Sequence, residues 1–404
     1  MITHLCVCGL GKLGSPISAS FARSMFVVGY DLDAAKVNAI NHGHAPVEEP
    51  GLDEAVSSAG LLLRATTDPE EAVRSTDACI FVAPTPSLPD GSFDNQYLLN
   101  GIEKIAPAVG GRPYIFIVAS TVTPGSCQHI LLPAIRRHSD KIALVYKPEL
   151  IALGTVMHDL ANPDVALIGA TDKCAAAEVF RLYARLRDVG ATEFKIMSFV
   201  EAELAKISLN CAITMKISFA NQVSMVAEKL GADPHAILEF IGRDSRIGPK
   251  VLRPGTPFGG PCFPRDNRMF QYVAEKVSVK AHLALATDKI NEDILWHIIS
   301  SLPKNEEVGI LGASYKAGTN VIEESAGMAL CKKLTALGRI VKQHDPLVAT
   351  PDKLENVIQC PVVIVTLDCP EYRGLQFQPS QFVVDPWRIT GKQVAKEIPC
   401  PVSC

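Results

Sequence analysis

The sequence predicts an α/β chain with two Rossmann-like doubly wound parallel-sheet domains, joined by a long central helix and a helical dimerisation domain. Three observations predict it. A glycine-rich turn stands between two apolar strands at the start of the chain. Short apolar strands then alternate with helix-length segments, and a fresh βαβ pattern starts near Lys304 after a largely helical middle. At 404 residues the chain is too long for one ordinary domain. By pattern it divides into residues 1–197, 198–300 and 301–404.

The first element is Leu5-Cys6-Val7-Cys8, an apolar strand whose two cysteines share one face. It runs into Gly9-Leu10-Gly11-Lys12-Leu13-Gly14, a helix-compatible run to Arg23, and a second strand, Phe26 to Tyr30, that ends at Asp31. This is a dinucleotide fingerprint in its proper setting. Gly9 makes the tight turn, Gly11 lets backbone meet a pyrophosphate, and Gly14 permits close helix packing. The helix N-terminus then offers free N–H groups and a positive dipole end to the phosphates. Asp31, seventeen residues past Gly14, is placed to accept hydrogen bonds from an adenosine ribose. A carboxylate there repels a 2′-phosphate, so NAD is expected rather than NADP.

Further strands are expected at 78–83, 114–119, 142–146 and 165–168. Ligands of such sheets sit outside the carboxyl ends of the strands. Thr85, Ser120-Thr121 and Lys147-Pro148-Glu149 all fall on that edge. A long helix follows. Ser198 and Glu201 form a capping box, and Lys229-Leu230-Gly231 followed by Pro234 closes it. Thirty-odd residues make a rod of about 45 Å, long enough to span two domains or build a dimer interface. Lys206 and Asn210, four apart, share one of its faces. Lys216 breaks the apolar run and excludes a membrane role for this helix.

Residues 232–300 read as mostly helical, interrupted by a Gly/Pro-rich passage from Gly248 to Pro264. Within it, Phe258-Gly259-Gly260-Pro261-Cys262-Phe263-Pro264-Arg265-Asp266 combines two glycines, which let backbone approach a ligand, with a cysteine between prolines and a cation beyond it. The bland reading is a turn whose cysteine is a small apolar residue. The last third reads as a smaller α/β domain without its own GxGxxG. Its strands are expected at 308–311, 362–366 and 382–384, a helix at 326–337, and a strand leading into His344-Asp345-Pro346.

Bulk numbers exclude other classes. The chain is 48% hydrophobic and 20% charged, with net charge −4 and pI about 6.2. No nucleic-acid or membrane partner is expected from charge, and no apolar run approaches the roughly 20 residues of a membrane helix. The first residues enter a strand without a basic region followed by an apolar one, so no secretory signal is expected. The twelve cysteines are scattered without a paired CxxC framework. Zinc is therefore not expected, and reduced cytosolic thiols are the default. Cys400 and Cys404 fall in a Pro-rich tail expected to fray.

An ordered set of motifs resembles the UDP-glucose/GDP-mannose dehydrogenase family, the nucleotide-sugar 6-dehydrogenases, from about residue 4 to about 390. The set comprises Gly9–Gly14, Gly43 through Glu49-Pro-Gly-Leu52, Ala83-Pro-Thr-Pro86, Ser120 to Gly125, Pro148-Glu149 and Glu201 to Asn210. It continues with Lys216 to Phe219, Asp244 to Gly248, Phe258 to Asp266, Tyr315-Lys316 and Asp345-Pro346. The resemblance implies a four-electron oxidation of a sugar C6 alcohol to the carboxylate with two NAD, in a cytoplasmic homodimer or larger homo-oligomer. It implies Cys262 as nucleophile, Lys206 for oxyanion charge and Asn210 for sugar placement. Asp266 with Thr121 would position or activate water, and Glu149 would be the acid–base group. Gly9, Leu10, Gly11, Lys12, Leu13, Gly14, Asp31, Lys36, Thr85, Thr121 and Arg265 would hold NAD. Glu149, Lys206, Asn210, Arg246, Arg253, Phe258, Gly259 and Lys316 would contact the nucleotide sugar, Arg246 by reaching a neighbouring subunit's substrate.

Three stretches depart from the family pattern. Leu153 replaces a second glutamate after Pro148-Glu149, and Val165 follows Asn162-Pro-Asp where arginine is common. Thr319 to Ser325 lacks an Asp-Asp pair and has Glu323 in place of an arginine. UDP-glucose is the default substrate; a UDP-HexNAc, GDP-mannose or another sugar nucleotide stays open. So do a two-electron hydroxyacid dehydrogenase, which needs no cysteine, and a non-catalytic sugar-nucleotide binder.

Overall fold

The structure, a computed structural model, describes residues 1–187 and 193–390; Cys400, Cys404 and the expected fraying of the tail lie outside them. The chain divides into two compact units, Met1–Ile207 and Ser208–Cys404.

The strands of unit 1 are β1 (His4–Cys8), β2 (Phe26–Tyr30), β3 (Leu63–Thr66), β4 (Ala78–Phe81), β5 (Tyr114–Val118), β6 (Ile142–Tyr146), β7 (Val165–Ala170) and β8 (Glu193–Met197). They form one sheet in the order β3-β2-β1-β4-β5-β6-β7-β8. The helices between them are α1 (Gly14–Ala22), α2 (Ala34–Asn41), α3 (Leu52–Ala59), α4 (Pro69–Arg74), α5 (Gln96–Ala108), α6 (Leu132–Arg136), α7 (Val156–Ala161) and α8 (Lys173–Ala184). The order reverses at β1, so the ligand crevice expected of a doubly wound sheet opens beyond the carboxyl ends of β1 and β4.

The β1 sequence explains why it lies at the centre. Leu5 and Val7 pack on one face with Val27, Ala78 and Ile80. Cys6 and Cys8 pack on the other with Cys79, Phe81 and Phe116, where the two phenylalanine rings meet edge-on at 4.8 Å. A strand buried on both faces must be apolar throughout, and each fully buried large side chain contributes roughly 1.5–3 kcal/mol.

One pair departs from the parallel expectation. β7 runs antiparallel to β6, while β7 and β8 are parallel. The connection out of β6 sends its helix, α7, against α1, and the chain re-enters the sheet from the opposite end. β3 and β8 were not legible as strands beforehand.

Next comes α9 (Phe199–Lys229), and the boundary between the units falls within it. Its capping box forms: the Ser198 N–H donates to Glu201 Oε2 at 2.8 Å and the Glu201 N–H to Ser198 Oγ at 3.4 Å. Gly231 at φ +68° ends it, and the Ala232 N–H returns to the Ala227 carbonyl at 2.8 Å.

Unit 2 continues with α10 (Pro234–Gly242), α11 (Phe263–Lys276) and α12 (His282–Ser301). Its α/β part comprises β9 (Val308–Leu311), α13 (Ala326–Ala336), β10 (Val341–His344), α14 (Leu354–Val357), β11 (Val362–Val365) and β12 (Phe382–Val384). The sheet order is β10-β9-β11-β12, parallel throughout. Ile294 and Ile298 of α12, Leu330 and Leu334 of α13, and Ile310, Val362 and Ile364 of the sheet share one core. No helix among the described residues is long and apolar enough to cross a membrane.

Candidate active site

In unit 1 the glycine turn is built as its spacing predicts. Gly9 takes φ +101°, and a Cβ there would lie 2.1 Å from the Val82 carbonyl oxygen. Its N–H donates to the Tyr30 carbonyl at 2.8 Å. A Cβ on Gly14 would sit 1.7 Å from the Gly9 oxygen, whereas at Gly11 it would meet nothing within 4 Å. Gly9 and Gly14 are therefore closed by the chain itself, and Gly11 borders the open space that a pyrophosphate needs at the start of α1. Leu10 is fully buried against Gly29, while Lys12 points outward. Leu13 is half-buried at the helix entry.

Asp31 Oδ2 accepts the Leu10 N–H at 2.6 Å, and Oδ1 accepts that of Asp33 at 2.9 Å. The Lys36 ammonium stands 3.5 Å from Oδ2. A carboxylate has about four acceptor sites, so two such bonds leave capacity for ribose hydroxyls. The residues present fit a bound dinucleotide.

Two further edge residues come together. Thr85 Oγ1 donates to the Thr121 carbonyl at 2.7 Å, and Ser120 exchanges two hydrogen bonds with the Ala83 backbone. A residue without an assigned role in the sequence reading holds this edge: Glu203, fully buried on α9, accepts the N–H groups of Gly125 (2.5 Å) and Cys127 (2.8 Å). Burial pushes its carboxyl up, opposed by those hydrogen bonds. The signal available was its position one turn before Lys206. Lys206 itself is buried and pairs with no carboxylate among the described residues.

Glu149 is more enclosed than a loop residue would be. Lys147 makes an ion pair with its Oε2, and the Tyr183 hydroxyl donates to its Oε1 at 2.7 Å. The Lys147 ammonium lies 3.8 Å from the Tyr183 ring centre. Burial lowers the Lys147 pKa against the pull of Glu149, and burial beside Glu149 raises that of Tyr183. Of the departures, Val165 lines the small cavity beside this trio, and Leu153 packs on the sheet core, a place that does not suit a charged side chain.

In unit 2, Cys262 is exposed and stands at the N-cap of α11. Its carbonyl accepts the Asp266 N–H at 2.9 Å, and Asp266 Oδ2 accepts from the Asn210 amide at 2.6 Å. Asp266 and Asn210 are both buried. The structure thus joins three of the predicted residues through one helix turn. α11 is held in turn by Asn267 and Gln271, each donating to Asp288 at 2.7 Å.

The glycine pair ahead of Cys262, expected to let backbone approach a ligand, packs closely within unit 2. A Cβ on Gly259 would lie 2.2 Å from the Glu324 carbonyl oxygen, and one on Gly260 (φ +84°) 2.4 Å from the Tyr315 ring. The Gly260 N–H donates to the Glu323 carbonyl at 2.9 Å. Phe258, buried, is clamped by Asn291, which accepts its N–H at 2.8 Å and donates to its carbonyl at 2.9 Å.

Arg265 is half-buried in the first turn of α11. Burial lowers its pKa, opposed by Asp266, Cys262 and Glu323. Glu323 thus lies in the field of a cation, and Glu324 pairs with Arg268. Arg253 pairs with Asp368 at 3.0 Å and covers the Trp387 ring. Arg246 is exposed and chelated by Asp244. Lys316 is half-buried in the loop after β9.

The cysteines separate by setting. Cys8, Cys79 and Cys127 are buried, and burial raises their thiols. Cys211, beside Asp266 and Asp288, is pushed up to about 12, first by burial. Cys262 and Cys174 are both exposed at helix N-termini, a setting that favours an anion. Cys174 has the Asp172 carboxylate beside it, whereas Cys262 has the Arg265 guanidinium in the same turn.

Residues 3–187 match the profile of the UDP-glucose/GDP-mannose dehydrogenase family NAD binding domain, and residues 200–293 match that family's central domain. The UDP-glucose 6-dehydrogenase AglM of Haloferax volcanii is 31% identical over 87% of this chain and 85% of its own length. The GDP-mannose 6-dehydrogenase of Pseudomonas putida is 30% identical over 85% of this chain and 80% of its own. A UDP-glucose dehydrogenase structure from Pyrobaculum islandicum superposes with TM-score 0.87 at 31% identity, covering 96% of this chain and 94% of that one.

Proposed function

This chain belongs to the UDP-glucose/GDP-mannose dehydrogenase family, and we propose that it oxidises the C6 alcohol of a nucleotide-diphosphate sugar to the uronate through a covalent adduct on Cys262, with UDP-glucose as the substrate. Like its family it is an NAD-dependent oxidoreductase of nucleotide sugars. The observation that carries the reading is the Cys262–Asp266–Asn210 arrangement: an exposed thiol one helix turn from a buried carboxylate that is itself oriented by an amide.

When bound, NAD accepts one hydride in each of two oxidations; Gly9, Gly11, Gly14, Asp31, Lys36, Thr85 and Thr121 hold it in unit 1, with Lys12 and Arg265 as further contacts. The substrate hydroxyl first gives its proton to Asp266, directly or through water. The Cys262 thiolate then adds to the aldehyde carbon, forming a C–S bond and an oxyanion, and the thiohemiacetal keeps the aldehyde from escaping. Lys206 and Asn210 stabilise that oxyanion. The second oxidation leaves a thioester. Asp266, having passed its first proton to solvent, takes a proton from the water that attacks the thioester; the C–S bond breaks, and the Cys262 thiolate and the carboxylate product are released. Glu149 is the acid–base partner, its charge balanced by Lys147. The roles of Lys206, Thr121 and Glu149 rest on the sequence resemblance.

Residues 1–197 bind NAD in this reading, 198–300 carry the thiol and the dimer contact, and 301–404 close on the sugar nucleotide with Lys316. Arg253 and Phe258 complete the sugar-nucleotide contacts. The exposed apolar residues of α9, among them Leu209, Met215, Phe219 and Val226, support a homodimer, with Arg246 reaching the neighbouring substrate. The reaction is assigned to the cytoplasm.

The test follows NADH absorbance with UDP-glucose, GDP-mannose and UDP-N-acetylhexosamines. Two NADH per UDP-glucose consumed is expected, and none from Cys262→Ser carried through to acid. A stoichiometry of one, full acid production by Cys262→Ser, or faster turnover of another sugar nucleotide each breaks a stated part of the proposal.

A further inference from the structure

The two ends of α1 are different places. Its N-terminus faces the cofactor turn; nine residues later, about 13 Å along the axis, its other end carries Ser20, Arg23 and Ser24. There a cavity of about 270 Å³ opens, lined by those three residues together with Arg185, Arg187 and Leu160 among others. Three arginines converge on it and no carboxylate lines it.

These three arginines lack the carboxylate partner that most arginines among the described residues have. Arg181, Arg243, Arg268 and Arg388 each pair with a carboxylate. Arg23, Arg185 and Arg187 pair with none among the described residues. Arg185 reaches only the Met25 sulfur, at 3.8 Å, and Arg187 covers the Phe180 ring at 5.2 Å. Ser20 lines the same cavity at 7% exposure, and its hydroxyl has no hydrogen-bond partner among the described residues.

Compensation of helix dipoles accounts for part of this, since Arg23 and Arg185 cap the C-terminal ends of α1 and α8. It does not account for Arg187, two residues further on, nor for the Ser20 hydroxyl, which lines the cavity without a hydrogen-bond partner among the described residues. Converging guanidinium forks with a hydroxyl are the donor set for a tetrahedral oxyanion. The volume lies just below the range of about 300–1,000 Å³ that holds drug-sized ligands. It therefore suits a phosphate or diphosphate group and not a whole dinucleotide.

We propose that Arg23, Arg185, Arg187 and Ser20 form a second anion site in unit 1, for the phosphate group of free phosphate or of a small phosphorylated metabolite. It stands at the far end of α1 from the cofactor turn, so its occupant does not compete with NAD. Arg187 and Leu160 also line the small cavity beside Lys147, Glu149 and Tyr183, which makes the site a place from which a bound anion would act on that trio.

The test is calorimetric titration of the full chain, saturated with NAD, using inorganic phosphate, pyrophosphate and uridine monophosphate in separate runs at constant ionic strength. It reads binding alone, so its outcome is independent of whether the proposed oxidation holds. One anion per chain is expected, weakened about tenfold or more in Arg185→Gln and in Arg23→Gln, with NAD affinity unchanged. Arg23 is exposed and its replacement leaves the core intact; Ser20→Ala, a smaller change, should weaken binding several-fold. Tighter binding of pyrophosphate or the nucleotide assigns the site to phosphorylated metabolites, and tighter binding of inorganic phosphate to the free ion. No saturable binding by any of the three, equal affinity in wild type and all variants, or displacement by NAD overturns the proposal.

Discussion

The two α/β parts of the chain repeat one piece of architecture and use it differently. β1–α1–β2 and β9–α13–β10 each place a positive-φ glycine after the first strand, Gly9 at +101° and Gly312 at +120°. Each glycine N–H donates at 2.8 Å to the last carbonyl of the second strand, Tyr30 or His344. Each has a second glycine where the helix begins, Gly14 or Gly327, whose Cβ would lie 1.7 or 2.0 Å from the first glycine's oxygen. Each second strand is followed by an aspartate that accepts the N–H after the turn, from Leu10 or Ala313.

The difference lies in what fills the turn. In the first, four residues separate the glycines, the helix N-terminus stays open above Gly11, and Asp31 keeps acceptor capacity. In the second, residues 313–326 intervene, and Tyr315 and Glu323 to Ser325 pack on the Cys262 loop. Asp345 there is saturated by the N–H groups of Ala313, Ser314, Leu347 and Val348 and by the Ser314 hydroxyl. An acid at one topological position keeps acceptor capacity for the proposed cofactor in one part and serves the chain's own loop in the other.

Replacing the second glycine should have the largest effect, and the same one in both parts. Gly14→Ala and Gly327→Ala each force a methyl onto a backbone oxygen that cannot retreat, a loss on the order of 3 kcal/mol or more. Denaturant unfolding followed by circular dichroism checks this; a Gly327→Ala variant as stable as wild type would remove the equivalence.

The aspartates should then separate. Asp345→Ala leaves buried donors unsatisfied and should cost about 3 kcal/mol of stability. Asp31→Ala should mainly weaken NAD binding, by roughly ten- to a hundredfold. The pH dependence has a definite sign. Burial would raise the Asp345 carboxyl, but its backbone hydrogen bonds outweigh burial and hold it below the usual range. The unfolded chain therefore takes up this proton first as pH falls. The stabilisation is whole above the unfolded value of about 3.9 and disappears as pH drops through the lower folded value. Asp345→Asn should flatten that acid limb in unfolding curves measured from neutral to acid pH.

Gly11→Ala should have the smallest effect on folding, within about 0.5 kcal/mol, because its Cβ meets open space. NAD affinity should still fall about tenfold, since the methyl occupies the approach of the pyrophosphate. Equal NAD affinity in Gly11→Ala would deny the open space its assigned ligand.

What local pattern alone determined was considerable. The continuous apolar run of β1 foretells a strand buried on both faces. The spacing of Gly9, Gly11 and Gly14 foretells the turn, because Gly14 packs on the carbonyl of Gly9 only five residues back. Ser198 and Glu201 start α9 because a capping box is complete in four residues. The four-residue spacing of Lys206 and Asn210 follows from helix geometry, whatever lies opposite. Tertiary structure decided what depends on residues far apart in the chain. The Gly312–Gly327 pair is hidden in the sequence because its spacing of fifteen matches no short motif, and only the meeting of β9, α13 and β10 makes it a turn. Gly259 and Gly260 meet Tyr315 and Glu324, Glu149 meets Tyr183, and the loop at Gly125 to Cys127 is held by Glu203. The antiparallel return at β7 was hidden too, because an apolar strand reads the same in either direction. Close-range sterics and hydrogen bonds are written into adjacent residues, whereas the enclosure that turns a carboxylate, a thiol or a glycine to a particular use comes from chain that arrives from elsewhere.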